Sequence, residues 1–331
     1  MQMLINGKFI EKSEYIEIKN PANNKVIDTV PKGTRKDVKI AISAAKRTSN
    51  VTREIPSRLI SEYLYDIYGE LSKNSKLFEK LITIDCGKPI KDSKEEVKRS
   101  KQTILLSAEE SKRIYGETIP MDACIGGEEV IGFTTRIPLG VVGAITPFNY
   151  PLNLVIHKVA PAIAAKNTVV VKPSTKAPLA ALKFAEIANT YLEDGFLNVV
   201  PGSGSEVGDE IVKSELVDKI SFTGSIETGL SISKNAGMKK LTLELGGNDP
   251  LLVLADANIE KAVEAAVRGS YLNAGQVCIG VKRIILDKKI ADEFTDKLVK
   301  ATGRLKVGDP MDIKTDVGPL IDENAAINIE K

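Results

Sequence analysis

The sequence predicts an α/β protein organised around a parallel β-sheet. Three observations carry that expectation. Between residues 167 and 286, short runs rich in Val, Ile and Leu alternate with helical patterns, which is the signature of βαβ units. The turns joining strand to helix are short and rich in glycine. Hydrophobic residues make up 43% and charged residues 27% of the 331, a globular balance that excludes a disordered or collagen-like chain.

Taken in order, residues 2–30 read as short strands and turns, with Asn6-Gly7 as a hairpin signal. Helical periodicity follows. Val38, Ile42 and Ala45 share one face, and Leu59, Tyr63, Ile67 and Leu71 share another. Gly87-Lys88-Pro89 breaks the next helix, and a further helix is expected from about 93 to 113. Residues 115–142 alternate β-rich runs around a Gly126-Gly127 turn and read as a long projecting hairpin, either an oligomer contact or a sheet extension. Residues 167–172 (NTVVVK) form a buried-type strand, and Pro178 opens a helix expected to end near Gly195. Strands at 197–200, 219–223 and 240–245 alternate with helices after Gly204 and Ser225. A strand at 251–254, a helix at 258–272 and a strand at 281–286 complete the pattern, with helices after 286 and near Asp322.

Composition narrows the function. Lys plus Arg number 46 and Asp plus Glu 44, so the net charge of +2 calls for no nucleic-acid or anionic-membrane partner. The N-terminus lacks the apolar core of a signal peptide, and the longest apolar stretch, 137–148, is too short to span a bilayer. Cys86, Cys124 and Cys278 are scattered, which points to a reducing, cytoplasmic setting. One histidine, His157, and no close cysteine pair leave almost no material for a zinc site, so no metal is expected.

Several short motifs could carry chemistry, each with a plainer alternative. Gly202-Ser203-Gly204 and Gly208 follow a strand and open a helix, which suits phosphate binding, although the GxGxxxG spacing is one residue longer than the dinucleotide fingerprint. Phe222-Thr223-Gly224-Ser225 makes a second strand-to-helix turn, and two such turns in adjacent units can face one crevice. Asn149, between Pro147 and Pro151, could donate to a developing oxyanion or cap the next helix. Glu244 ends a strand beside Gly246 and Gly247; it could activate a water or be a solvated carboxylate. Cys278, in NAGQVCIG, could be a nucleophile or an inert buried thiol. His157, in an apolar helical run, reads as a core residue rather than a base.

The order of these motifs is more specific than any one of them. TPFNYPLN, VVVKPS, GSGSEVG, FTGS, LELGGNDP and GQVC, with the late GDPMDIKTDVGPLI, resemble the aldehyde dehydrogenase superfamily over nearly the whole chain. Glu244 and Cys278 lie 34 residues apart, as the LELGG-to-Cys pattern of that family expects. The resemblance implies a parallel Rossmann-type nucleotide-binding sheet, a second α/β catalytic domain and a projecting hairpin. It implies that Cys278 attacks an aldehyde, that Asn149 and the Cys278 backbone N–H hold the oxyanion, and that Glu244 activates the deacylating water. Lys172 would bind the adenine-side ribose, and Gly204, Gly208, Gly224 and Ser225 would line the nucleotide crevice. Thr146, Pro147, Phe148, Phe222 and Thr228 would join them, with Leu245 and Gly246 approaching the nicotinamide. Thr175 stands where NAD-preferring relatives often carry Glu, and Lys176 adds nearby positive charge, so NADP is expected to be accepted beside or ahead of NAD. The wording is most similar to archaeal lactaldehyde dehydrogenases and non-phosphorylating glyceraldehyde-3-phosphate dehydrogenases, which makes lactaldehyde the first candidate substrate, ahead of glyceraldehyde-3-phosphate or another semialdehyde.

The same resemblance divides the chain into a nucleotide-binding part, 1–247, containing an oligomerisation-type hairpin at 115–142, and the first part of a catalytic domain, 248–331. The ExFGP and PFGG segments of the family are not found, so the expectation is a C-terminally shortened chain that is poorly soluble or inactive alone, with a homo-oligomeric (dimeric or tetrameric) parent. Three rival functions stand beside the dehydrogenase: a CoA-acylating relative, a nucleotide-binding module without catalysis, and a thiol esterase needing no nicotinamide.

Overall fold

Asn6 and Gly7 both adopt left-handed backbone (φ 51° and 73°) and so close a tight hairpin between β1 (Met3–Ile5) and β2 (Lys8–Ile10). The computed structural model describes residues 1–331. A second hairpin pairs β3 (Tyr15–Lys19) with β4 (Val26–Pro31). Four helices follow: α1 (Arg35–Thr52), α2 (Ser57–Lys73), α3 (Ser75–Cys86) and α4 (Ile90–Glu110). A reciprocal capping box between Thr34 and Asp37 opens α1, and Gly87, at φ 75°, ends α3. Helix α4 begins and ends three residues earlier than the periodicity suggests. Pro89 directly precedes its first turn, where a missing N–H costs nothing.

The expected long hairpin shrinks to two-residue strands, β5 (Thr118–Ile119) and β6 (Gly132–Phe133). Pro120 has no N–H for a ladder, and the chain turns at once into a short 3₁₀ segment, Met121–Ala123.

The regular part then runs β7 (Val141–Ile145), α5 (Asn153–Ala164), β8 (Thr168–Lys172), α6 (Leu179–Asn189) and β9 (Leu197–Val199). A π-helical turn, Gly204–Gly208, leads into α7 (Asp209–Lys213), and β10 (Lys219–Thr223), α8 (Ile226–Asn235) and β11 (Lys240–Glu244) follow. Helix α6 stops well short of Gly195. Thr48 of α1 donates to Asp194 O at 2.7 Å, and a Cβ on Gly195 would lie 2.6 Å from the Thr48 hydroxyl, so contact with α1 turns this segment back.

These strands make one seven-stranded sheet in the order β11-β10-β7-β8-β9-β1-β2. The first five are mutually parallel; β1 and β2 add antiparallel strands at one edge, so the sheet is mixed rather than purely parallel. Alternate residues face opposite sides. Val142, Ala144, Val169 and Val171 pack with α2 to α6, whereas Val141, Ile145 and Val170 pack with α1, α7 and α8. Both faces are covered, which is why VVV needs no polar alternation. From β7 the chain moves to β8 on one side and later to β10 on the other. The reversal beside β7 leaves a crevice past the carboxyl ends of these strands.

The remaining elements are β12 (Asp249–Val253), α9 (Ile259–Tyr271), β13 (Val281–Leu286), α10 (Ala291–Thr302) and α11 (Glu323–Glu330). Strands β12 and β13 pair in parallel, and Val253, Val263, Ala266, Ile290 and Phe294 form their own small core. No helix is long and apolar enough to cross a membrane.

Candidate active site

Four strand ends converge on the crevice. Strands β7, β8, β10 and β11 end at Ile145, Lys172, Thr223 and Glu244, and the turns after them supply most of the expected site residues. A cleft of about 740 Å³ is lined by Thr146, Pro147, Phe148, Lys172, Thr175, Gly204, Gly208, Phe222, Gly224, Ser225 and Thr228. A second cleft of about 570 Å³ shares Pro147, Phe148, Gly224 and Ser225 with it, and is further lined by Asn149, Leu245, Gly246, Gln276 and Cys278. The structure therefore gathers every expected cofactor residue, Asn149 and Cys278 along two adjoining hollows. Glu244 lines neither.

The first hollow suits an extended polar ligand. A Cβ on Gly204 would meet nothing within 4 Å and one on Gly208 only the Lys172 stem, so both glycines leave the wall open. Thr146 Oγ1 is buried with no hydrogen-bond partner. The Lys172 ammonium is buried without a carboxylate, donating only to the carbonyls of Pro173 (2.8 Å) and Gly202 (3.3 Å), and burial pulls its pKa down to about 8. An orphaned hydroxyl and an uncompensated cation facing a glycine-walled cleft fit a ligand bearing hydroxyl and phosphate oxygens. Lys176 is not the free positive charge that its sequence position suggests. Asp322, which caps α11, pairs with it at 2.5 Å.

In the second hollow, the Asn149 side chain donates to Gln276 O at 2.7 Å, while its Oδ1 is buried and unpartnered. Asn149 does not cap α5: Leu152 occupies that position and no side chain bonds the helix end. One amide hydrogen of Asn149 is committed to the cysteine loop, and the other remains available. That loop is strained. Asn273, Ala274 and Gly275 in succession take φ of 51°, 56° and 74°, and for Ala274 this region is unfavourable. Gln276 braces it, donating from its side chain to Asn273 O at 3.0 Å and accepting from Ile321 N at 2.9 Å. Cys278 is exposed just beyond, ahead of β13, and the Gly247 turn lies against its carbonyl. The other thiols differ: burial pushes Cys86 up to about 12, and Cys124 is exposed away from both hollows.

Glu244 is paired in register with Thr223, and its exposed carboxylate makes no hydrogen bond or ion pair. Lys158, which the sequence reading did not single out, lies on the α5 side of these strand ends. Its ammonium donates to Thr223 Oγ1 (2.8 Å) and Ser221 Oγ (3.3 Å), and burial draws it down to about 8 against the opposing pull of Glu244. The available signal was a lysine inside the apolar run LNLVIHKVAPAIAA. His157 beside it is exposed, not a core residue. Partial desolvation, then Arg99 and Lys158, hold its pKa below the usual histidine value, with Glu244 opposing. It turns outward because the neighbouring positions Val155, Ile156 and Val159 take the buried face of α5.

Comparison with known proteins matches residues 9–331 to the aldehyde dehydrogenase family. A lactaldehyde dehydrogenase of Methanococcus aeolicus is 46% identical, the alignment covering 99% of this chain and 70% of that protein. A lactaldehyde dehydrogenase of Methanocaldococcus jannaschii is 43% identical, covering 99% and 71%. Among solved structures, the glyceraldehyde-3-phosphate dehydrogenase GapN from M. jannaschii, complexed with NADP, superimposes with a TM-score of 0.93 at 43% identity, covering 97% of this chain and 70% of that one. An NADP-dependent glyceraldehyde-3-phosphate dehydrogenase from Bacillus halodurans, also complexed with NADP, gives 0.96 at 35% identity, covering 99% and 70%.

Proposed function

This chain belongs to the aldehyde dehydrogenase family and is an NAD(P)-dependent oxidoreductase acting on aldehydes, and we propose that its substrate is lactaldehyde and its nucleophile Cys278. The observation that carries the nucleophile is placement. Cys278 is the only cysteine on the hollow that adjoins the glycine-walled cleft, and Asn149 stands on the same hollow. The lactaldehyde reading rests on the named relatives.

In this reading the Cys278 thiolate adds to the aldehyde carbon, and the resulting oxyanion is held by the free amide hydrogen of Asn149 and the Cys278 backbone N–H. When bound, NAD(P) would supply the hydride acceptor for that carbon, which leaves a thioester on Cys278. Glu244 then takes a proton from the water that hydrolyses the Cys278 thioester, releasing the carboxylic acid and the thiolate. No bond holds the Glu244 carboxylate away from the hollow, and the Leu245–Gly247 turn joins it directly to the Cys278 wall. Lys172, Thr146, Gly204, Gly208, Gly224 and Ser225 would hold the dinucleotide, with Thr175 uncharged where a carboxylate would repel a 2′-phosphate. Residues 1–247 would form the nucleotide-binding part and 248–331 the start of the catalytic part. The apolar side chains exposed around the short hairpin, including Ile125, Ile131 and Phe133, suit a contact between copies, and three free cysteines suit the cytoplasm.

Two measurements test this reading. The gene product, given lactaldehyde, glyceraldehyde-3-phosphate and other semialdehydes with NAD or NADP, is expected to show its highest kcat/KM on lactaldehyde, with NADP accepted. A higher value on a phosphorylated aldehyde would replace the substrate. Cofactor binding is expected to weaken as pH rises through about 8, because Lys172 loses the proton that makes it a cationic donor. Equilibrium titration of NADP should show this slope in the wild type and lose it in Lys172→Met.

A further inference from the structure

Two full charges are buried beneath the turn that carries Asn149. Lys88 follows the glycine that ends α3, and Glu96 lies on α4; each is about 1% exposed. Their side chains pair directly. An ion pair removed from water is costly, and a well-packed apolar pair of similar volume is often as stable or more so. The charges therefore need a reason beyond stability.

Their other contacts supply one. Glu96 Oε1 accepts from the backbone N–H groups of Leu152 and Asn153, both at 3.0 Å. The Lys88 ammonium sits 3.6 Å from the centroid of the Tyr150 ring. The pair thus grips residues 150, 152 and 153, the segment immediately after Asn149. From the other side, Asn149 is held by the cysteine loop through Gln276 O, at 2.7 Å. Neither Lys88 nor Glu96 lines either hollow.

We propose that the buried Lys88–Glu96 pair, acting through Tyr150 and the 152–153 backbone, positions the Asn149 amide for oxyanion stabilisation. The inference rests on the assignment of Asn149 as an oxyanion donor. Lys88 and Glu96 are positioning residues and touch no substrate. A charge-assisted grip on two backbone donors and one ring gives a direction that apolar packing would not.

The test is a double-mutant cycle in the complete gene product, with folding checked by circular dichroism and thermal melting. Lys88→Met is expected to lower kcat by up to about 10²-fold, the scale of a small misplacement in an active site, with KM for aldehyde and NADP little changed. In an Asn149→Ala background the same substitution should change kcat by no more than about twofold, because the group it positions is gone. Tyr150→Leu leaves the ion pair intact and keeps the test alive if Lys88→Met does not fold; it should show the same dependence on Asn149. Equal fold-losses in both backgrounds would overturn the positioning role while leaving the Asn149 assignment standing. If Asn149→Ala alone leaves kcat unchanged, the oxyanion assignment fails, and the positioning role fails with it.

Discussion

Cys278→Ala is expected to abolish aldehyde oxidation while leaving dinucleotide binding intact. The reaction needs a nucleophile able to leave again, and a thiolate meets both requirements without the adjacent base that a hydroxyl would need. Nothing else on the hollow can substitute. Cys86 is buried, with a thiol pushed up to about 12, and Cys124 lines neither hollow. His157, the only histidine, lies on α5 outside both. Formation of reduced cofactor measures the loss, NADP titration measures the retained binding, and intact-mass analysis reads the acyl adduct on the wild type. Undiminished acid production by the alanine variant would remove the basis of the mechanism.

Glu244→Gln should separate the two halves of the reaction. Acylation of Cys278 does not require the carboxylate, so a single burst of reduced cofactor, stoichiometric with enzyme, is expected. Hydrolysis of the thioester does require it, and steady turnover should fall by about 10²–10⁴-fold, the usual contribution of general base catalysis. Rapid mixing resolves the burst, and acid quenching followed by mass analysis should find the acyl group on Cys278. Equal loss of burst and steady state would place Glu244 in acylation instead. The same experiment with and without CoA separates hydrolysis from acyl transfer to a thiol. A variant that keeps the burst but recovers steady turnover of aldehyde and NAD(P) only when CoA is added would favour the CoA-acylating alternative.

Much of the seven-stranded sheet could be read directly from the chain. The VVV within NTVVVK needs no polar alternation because helices cover both faces of β8, and the two signals Asn6-Gly7 and Gly87 work through the backbone freedom of single residues. Ser225 and Asn258 cap α8 and α9 where the helical patterns begin. Such features depend on a few consecutive residues. One misplaced boundary has a local cause, Pro89 before α4, and another a distant one. Helix α6 ends early because Thr48 of α1 holds Asp194, and no residue near 190 announces that contact. The long hairpin was inferred from alternation, which describes two faces but does not name a partner strand.

The site divides along the same line. By itself the sequence determined the local elements and the strand-end turns, because periodicity, capping and turn chemistry act over a few residues; Cys278 is singled out only by the resemblance of the ordered motifs to a family. Only the tertiary structure decided that Asn149 is a tied donor rather than a helix cap, that His157 faces outward, that Asp322 engages Lys176 and that Lys158 comes close to Glu244. The reason is long-range contact: apolar neighbours fill the buried face beside His157, and the polar and charged groups are set by what folding brings next to them. The state of a charged or polar side chain depends on which distant groups share its low-dielectric surroundings, and folding alone brings residues 88, 96 and 150 into one such place.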